Sequence, residues 1–374
     1  MTEGKLVPYL RVANVFDGYI DFADVNTMAF KSQEIDRFRL LKGDILLNEG
    51  QSVELVGRCA MFMEGPEDCC YQNTLVRYRA GPETDPRFAL QLFRYCQKIG
   101  IFSKIAVKTN SIAHLGVSRF AELELPFPPY QVQVKIAEIL DRWDTAIQKT
   151  EQLIAAKERH YSHELSRLIS RGQHHPHAHA SAIAEEVSAR NRGGNEARVL
   201  SVTNSRGFVL PEDQFERRVA SADLSNYKVV RRGQYAYNPS RINVGSIARL
   251  DGWDDGVLSP MYVVFRLDEE KANSDYFLHW LNSHEARQRI KNSAQGSVRE
   301  TVSFSEFAAI TIPLPDTNTQ TTIARYLNAL REGIDLLGRS VAALKTQKRS
   351  LMQKLLTGQW RLPIPETAEE ASDA

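Results

Sequence analysis

The sequence predicts an α+β protein with a pseudo-two-fold internal repeat. Two similar, mixed α/β domains are separated by two long helices that pack as an antiparallel coiled coil. Three observations support this prediction: a proline-then-helix segment occurs twice, strand-and-turn segments match between the halves, and both long helices have coiled-coil spacing. The chain of 374 residues is also too long for one ordinary hydrophobic core, which favours at least two domains.

The clearest repeat is a segment that begins with prolines and continues as a helix. LPFPPYQVQVKIAEILDRWDTAI starts at Leu125, and IPLPDTNTQTTIARYLNALREGI starts at Ile312, so the offset is 187 residues. Each copy has two prolines one residue apart and a glutamine five residues after the second proline, Gln133 or Gln320. An offset of half the chain indicates a duplicated domain followed by a helix.

Other segments of the two halves match in the same order. In one pair, a basic turn ends at a glycine, Gly43 or Gly233, and an apolar strand then closes on Asn48 or Asn238. The matched pairs are 9–22 with 199–212, 35–50 with 224–240, and 111–128 with 298–315. Each half therefore predicts one domain of strands and short helices.

Within the domains, alternating apolar residues predict strands at 10–15 and 262–267. DPRFALQLFRYCQKIG and SDYFLHWLNSHEARQRIK predict a helix late in each domain. The first has Asp85 as its expected N-cap, ahead of Pro86, and the second has Ser274 or Asp275.

The two long helices have apolar residues at alternating steps of four and three, which is the coiled-coil period. The predicted seam comprises Ile136, Leu140, Trp143, Ile147 and Ile154 in the first helix, and Ile323, Leu327, Leu330, Ile334, Leu337, Val341 and Leu344 in the second. The spacing continues through Tyr161 and Lys348, although Lys157 and Glu164 make the far end of the first helix less apolar. About 35 residues give a rod of roughly 50 Å. Packing of each helix on its own domain alone is the simpler alternative, but it would not require so long a seam.

Glycines and composition set the boundaries. We expect the helices to stop at Gly172 and Gly358. The predicted segments are domain 1 (1–129), helix 1 (130–172), a linker (173–197), domain 2 (198–315), helix 2 (316–358) and a C-terminal tail (359–374) that is acidic from Pro363 onwards. The linker is polar and should contain at most a short helix. Its histidines, His174, His175, His177 and His179, favour a solvated loop over a metal site because no further ligands accompany them.

Composition excludes several classes. The apolar fraction of 43% and the charged fraction of 25% are typical of a globular protein, and no apolar run approaches the length of a membrane span. The N-terminus lacks the apolar region of a signal peptide, which points to the cytoplasm. Four cysteines without CxxC spacing predict neither a disulfide framework nor a zinc site. The net charge of +1 means that any nucleic-acid surface must be a local basic patch.

Catalytic motifs are incomplete. YNPS at 237–240 lacks the second proline and the aromatic residue of amino-methyltransferase motifs, and no glycine-rich turn for S-adenosylmethionine precedes it. The chain has no Walker sequence, GxxxxGK[ST]. Glu269 and Lys271 have nuclease spacing, but the Pro-Asp of a nuclease is missing. We therefore nominate no catalytic residue.

Basic and amide residues at matching places are the candidate DNA contacts. Arg can pair with guanine and Asn with adenine, while Ser and Lys mostly bind phosphate. The candidates are Arg37, Arg39, Lys42 and Arg58 in the first half, and Arg217, Arg218, Lys228, Arg231, Arg232, Asn238, Ser240, Arg241 and Asn243 in the second. For any one residue, a solvated charged turn is the simpler interpretation. The recurrence in both halves favours binding.

These stretches together resemble the specificity subunit of type I restriction–modification systems. The segments that carry the resemblance are YLRVANVFDGYID, EIDRFRLLKGDILLNEG, IAHLGVSRF, the first proline–helix segment, RVASADLSNYKVVRRGQYAYNPSRINVGSI and LMQKLLTGQWRL. The resemblance implies that the two domains are target-recognition domains, each recognising one half of a bipartite site in double-stranded DNA. It also implies docking of two modification (methyltransferase) subunits, which bind S-adenosylmethionine, and of separate restriction/translocase subunits. This chain would then hold no cofactor and no catalytic residue.

A mechanism follows from the resemblance. Two DNA-binding domains on a rigid helical spacer would contact DNA at a fixed separation, and the bases between the half-sites would go unrecognised. Three alternatives remain: a specificity subunit of a related methylation-based defence system, a coiled-coil scaffold that does not bind DNA, and a fused catalytic protein.

Overall fold

The computed structural model describes residues 4–109, 112–170, 175–194, 196, 198–213, 223–294 and 301–362. The chain divides into two compact units. Unit 1 contains residues 1–151 and 339–374, and unit 2 contains residues 152–338. Arg217 and Arg218, Gly172, His174 and the end of the acidic tail from 363 lie outside the described residues.

The described part of unit 1 contains short strands, four short or medium α-helices and parts of two long helices. Its strands are β1 (Lys5–Leu10), β2 (Asn26–Phe30), β3 (Ile45–Asn48), β4 (Gly50–Gln51), β5 (Cys59–Met61), β6 (Cys70–Tyr71), β7 (Leu75–Tyr78), β8 (Val107–Lys108) and β9 (Ala113–His114). Its helices are α1 (Ser32–Phe38), α2 (Pro86–Lys98), α3 (Ile101–Ile105), α4 (Val117–Ala121) and the first part of α5 (Tyr130–Leu165).

The strands of unit 1 form three small sheets in the orders β2-β1-β6, β5-β3-β7 and β4-β9-β8. β3 is the centre of the second sheet and is antiparallel to both neighbours. All four of its residues are buried, and the first three, Ile45–Leu47, form a continuous apolar run instead of alternating with polar residues. β1 is antiparallel to β2 and parallel to β6.

The main core of unit 1 joins its domain to the helix pair. Phe88 and Phe93 of α2 pack in one cluster with Ile136 and Leu140 of α5 and with Leu355 near the C-terminus of the chain. The N-terminal half of α5 therefore packs with the C-terminal part of the last helix, which is the antiparallel arrangement that the seam predicts. Lys345 and Glu151 form an ion pair of 2.7 Å in the same half of the pair.

Unit 2 repeats this organisation. Its strands are β10 (His177–His179), β11 (Ala184–Glu186), β12 (Ser201–Thr203), β13 (Gly207–Val209), β14 (Lys228–Arg231), β15 (Tyr235–Tyr237), β16 (Ile247–Arg249), β17 (Asp255–Leu258), β18 (Val263–Leu267) and β19 (Thr311–Pro313). Its helices are α6 (Ser274–Asn282), α7 (His284–Ala294), α8 (Phe304–Ala308) and the first part of α9 (Thr317–Leu356), up to residue 338. α5 continues to 170 as a π-helical segment, Ser166–Ser170.

The sheets of unit 2 differ from the sequence prediction in one respect. The order of the largest sheet is β11-β18-β15-β16, and β10 pairs with β19. Residues 177–179 and 184–186, which we expected to lie in a polar linker, are therefore strands. Backbone pairing with Thr311–Pro313 and Phe265–Leu267 holds them in place, so the polar composition of this segment was misleading. The side chain of His179 adds a contact beside these strands, because its Nδ1 lies 2.8 Å from the carbonyl oxygen of Ala309.

The unit 2 core contains Phe277 and Trp280 of α6 together with Tyr161 of α5 and Ile323 and Leu327 of α9. Every predicted seam residue, from Ile136 to Leu344, is buried or partly buried, while most of the residues that flank the seam are exposed. The predicted seam residues therefore lie on a buried or half-buried stripe along both helices. Lys157 is exposed, and Glu164 is buried beside Arg167, with which it pairs at 2.6 Å.

Caps and turns explain where the helices begin and end. Asp85 accepts hydrogen bonds from the backbone of Arg87 and Phe88, as predicted. The second cap is Asn273, one residue before the predicted position, because its side chain accepts from both Asp275 N and Tyr276 N. Gly358 has a positive φ of 71°, as expected of a residue just past a helix end.

Gly43 and Gly233 also adopt positive φ, 93° and 83°, so the matched basic turns do have equivalent backbones. Within the described residues, no helix combines the length and apolar character needed to cross a membrane. Nor do any three His, Cys, Asp or Glu side chains of that part of the chain lie close enough to share a metal ion.

Candidate nucleic-acid interface

The predicted DNA contacts of unit 1 lie around β3. Arg37, Arg39 and Lys42 precede the strand and are exposed. Arg39 lies 3.5 Å from Asp68, and its carbonyl oxygen accepts a hydrogen bond from Arg77, so this residue also has a structural role. Arg37 and Lys42 remain accessible to a polyanion.

Arg58 belongs to a stack of three flat side chains. Its guanidinium lies 4.7 Å from the centroid of the Phe16 ring, and its Nε donates to the carbonyl oxygen of Val15 at 3.1 Å. The Phe16 ring stacks on Tyr19 with centroids 5.0 Å apart, and Tyr19 is 58% exposed. Arg58 therefore supports the stack, while Tyr19 presents the solvent-exposed ring. Phe16 and Tyr19 are not among the predicted contacts, although the aromatic-Asp-Gly-aromatic run at 16–19 marks them in the sequence.

In unit 2, the basic candidates before β15 differ in accessibility. Lys228 is buried, and its Nζ lies 3.5 Å from Glu186, so it is a poor candidate for DNA contact. Arg232 is exposed and pairs with Asp254 at 2.9 Å. Arg231 is exposed as well.

The candidates after β15 form a turn. Asn238 is buried, and its Oδ1 accepts from the backbone of Ser240 at 3.1 Å, so this amide shapes the turn instead of facing solvent. Ser240 and Arg241 are exposed, and Asn243 is partly exposed. The candidates before and after β15 lie at opposite ends of this three-residue strand.

A buried polar network joins α2 of unit 1 to the helix pair. Lys348 Nζ donates to Asp144 at 2.6 Å and to Gln91 Oε1 at 3.3 Å. Arg94 donates to the same Asp144 carboxylate at 3.0 Å and to Asp17 at 2.7 Å. Burial, together with the charge of Arg94, lowers the pKa of Lys348 to about 8. Burial opposes ionisation of Asp144, but Arg94 and Lys348 still hold its pKa below the ordinary value.

A counterpart with an uncharged centre lies in unit 2. Tyr161 OH lies 2.9 Å from His279 Nδ1, and His279 Nε2 lies 2.8 Å from Asn328 Oδ1. The Asn328 amide in turn donates to Asp275, which pairs with Arg249 at 2.7 Å. Because an amide oxygen only accepts, Nε2 carries the imidazole proton and Nδ1 accepts from Tyr161. Burial lowers the pKa of His279, which keeps the ring neutral.

Both networks bind a domain helix to the helix pair. The polar groups of each network form hydrogen bonds with one another, and most of these side chains are buried. The geometry therefore supports a role in docking each domain on the helices. Among the predicted DNA contacts, those that remain exposed are mostly arginine and lysine side chains.

The family model described as "Type I restriction modification DNA specificity domain" matches residues 3–158 and 240–346. Two curated relatives come from Methanocaldococcus jannaschii. A chain described as a type I restriction enzyme MjaX specificity subunit is 21% identical over 380 residues, covering 95% of this chain and 87% of the relative. The type I restriction enzyme MjaVIII specificity subunit is 22% identical over 291 residues, covering 70% and 68%.

Two solved structures have a similar fold. The type I restriction-modification system S subunit from M. genitalium superposes with a TM-score of 0.55 and 17% identity, covering 95% of this chain and 90% of that chain. A chain from a study of complex assembly and conformational transition of the type I R-M system gives a TM-score of 0.59 with 13% identity, covering 94% and 92%. At these identities the likeness concerns the fold.

Proposed function

Because this chain belongs to the type I restriction modification DNA specificity family, we propose that it is the specificity subunit of a type I restriction–modification complex. In this role each domain recognises one half of a bipartite site in double-stranded DNA. The observation that carries the proposal is the family match across both halves of a chain whose two units have equivalent elements.

The partners follow from the proposal. Two modification (methyltransferase) subunits, which supply S-adenosylmethionine, dock on this chain, and restriction/translocase subunits join for cleavage. The chain itself contributes recognition and no catalytic group. The complex acts in the cytoplasm, where it meets the DNA that it modifies.

The basic residues that remain accessible support DNA binding without assigning bases. Arg37 and Lys42 in unit 1, and Arg231 and Arg241 in unit 2, can bind phosphates or guanine edges. Lys228 and Asn238 are buried and make structural contacts, so the proposed DNA surface excludes them.

The test is coexpression with the methyltransferase encoded beside this chain, followed by mapping of methylated bases. We expect methylation at one bipartite sequence. Replacing residues 1–124 by the first domain of another family member should change one half-site and leave the other unchanged, because each domain has its own core.

Three outcomes would contradict the proposal. A swap that altered both half-sites would refute independent recognition. Methylation or cleavage by the purified chain alone would favour a catalytic protein. Absence of sequence-dependent binding in the presence of the methyltransferase would favour a scaffold.

A further inference from the structure

Helix α7 has two chemically different faces. Ala286 and Ile290 are buried, and they belong to the unit 2 core. The outward residues follow the helical spacing i, i+3, i+4, i+7 and i+8. They are His284, Arg287, Gln288, Lys291 and Asn292, and all five are exposed.

The outward face carries positive charge and no carboxylate. Arg287 and Lys291 make no ion pair with any residue that the structure describes. The one acidic residue of the helix, Glu285, is turned aside and pairs with Arg289 at 2.6 Å. Arg289 also donates to the carbonyl oxygen of Thr311 at 2.7 Å. This arginine therefore attaches α7 to the rest of unit 2, and Arg287 and Lys291 supply the positive charge of the exposed face.

Open grooves flank α7 on two sides. One, of about 1060 Å³, is lined by α7, including Glu285, together with Ser162 and Arg331, and it also contains Glu158. The other, of about 490 Å³, lies between α7 and the turns that carry Asn204, Ser205 and Asn243. The helix therefore lies between two grooves, and its exposed face carries basic or neutral polar side chains.

We propose that α7 enters the major groove of DNA and recognises bases in the half-site that unit 2 binds. This inference rests on the proposed function and assigns its recognition element. It differs from the sequence-based candidates, which lie on the turns around β15.

Shape and chemistry both favour duplex DNA as the occupant. The B-DNA major groove is about 12 Å wide, which admits one α-helix, and 11 residues span about 16 Å. Arg and Gln are the side chains that make paired hydrogen bonds to guanine and adenine, and Lys and Asn can bind phosphate or base edges. Asn243 lines the second groove, and Arg241 precedes it by two residues in the same exposed turn, where it could bind a phosphate beside the helix.

The experiment uses the full chain in complex with its methyltransferase subunits. The variants are Arg287→Gln and Lys291→Gln, which keep helix propensity nearly unchanged. The matched control is Lys271→Gln, which removes one exposed positive charge from unit 2 in a loop away from α7. Site-specific duplex binding is measured over a salt series, methylated sequences are mapped, and thermal unfolding checks the fold.

We expect Arg287→Gln to weaken binding of the cognate site about 5- to 150-fold, or to change one base of one half-site. Lys291→Gln should reduce the salt slope by about one if this lysine binds phosphate. Lys271→Gln should resemble wild type in all three measurements.

The inference is overturned if both α7 variants bind and methylate as the control does. It is also overturned if they lose the methyltransferase subunits while the site preference is unchanged, since α7 would then be a protein interface. Failure of the wild-type complex to prefer any sequence would instead refute the proposed function.

Discussion

Gln133 and Gln320 make the same three hydrogen bonds in the two units. Gln133 accepts from the backbone of Asp85 at 3.0 Å and donates to the carbonyl oxygens of Glu83 and Pro128 at 3.1 and 2.8 Å. Gln320 accepts from Asn273 at 2.8 Å and donates to Lys271 and Pro315 at 3.1 and 2.8 Å. Each amide thus ties a long helix to the N-cap of its domain helix, which explains why the repeat keeps a glutamine five residues after the second proline.

Replacing either glutamine by leucine should lower the free energy of unfolding by about 2–5 kcal/mol. The amide is buried, so its loss leaves backbone N–H and C=O groups without partners. Chemical denaturation would measure the change. Gln353→Leu, at an exposed position of α9, is the control and should change stability by under about 0.5 kcal/mol. Equal effects at Gln320 and Gln353 would rule out this role.

The buried lysine of unit 1 predicts a pH dependence. The pKa of Lys348 is about 8 in the folded chain, whereas the unfolded chain keeps this proton up to about 10.5. Between these values the unfolded state binds more protons, so stability rises with pH. Between about pH 8 and pH 10.5, the free energy of unfolding of the wild type should therefore rise by on the order of 3 kcal/mol relative to that of Lys348→Met.

Denaturation at a series of pH values, with both proteins side by side, gives this difference. Lys345→Met is the matched control, one turn earlier on α9, since its half-exposed side chain pairs with Glu151 at the surface. A wild-type gain no greater than that of the control would show that Lys348 is not held in a buried site.

His279 predicts that the stability of the protein also depends on pH, in the acidic range instead of the alkaline one. Its folded pKa lies below the ordinary value because the ring is buried, so the unfolded chain takes up a proton first as pH falls. Stability from this group is therefore present above about pH 6.5 and is lost below it. His279→Gln should remove that loss, since Gln91 occupies the equivalent position of α2, six residues after the cap. Thermal unfolding at pH 5 and pH 8 measures it, and an unchanged pH difference would be contrary evidence.

The long helices predict a change in the DNA site. One heptad inserted after Glu151 and another after Gly338 adds about 10 Å to each helix and leaves the contacts within each unit intact. If helix length fixes the gap between half-sites, the gap should grow by about three base pairs while both half-sites stay the same. Methylation mapping checks this. A heptad in α5 alone mismatches the seam and should abolish activity, whereas an unchanged gap in the double insertion would disprove the spacer role.

Periodic and turn signals made much of the fold predictable. Seam residues such as Leu140 and Leu327, the Asp85 cap and the turns at Gly43 and Gly233 depend on local sequence. The strands at 177–179 and 184–186 were missed because remote backbone pairing forms them. The candidate site was harder. Lys228 and Asn238 look like DNA contacts in sequence but are buried, and α7 escaped notice because its outward face is distinguished only once Ala286 and Ile290 are placed in a core.

The division of the chain into units also bears on how it is made. Residues of unit 2 are continuous, 152–338, but unit 1 needs 339–374 to pack against Ile136 and Leu140. During synthesis on a ribosome, the apolar face of α5 in the first domain therefore stays exposed until residues 339–374 have been translated. A chain truncated after residue 338 would keep a complete second unit and an unfinished first one. Unit 1 is thus translated first but can complete its folding only after unit 2.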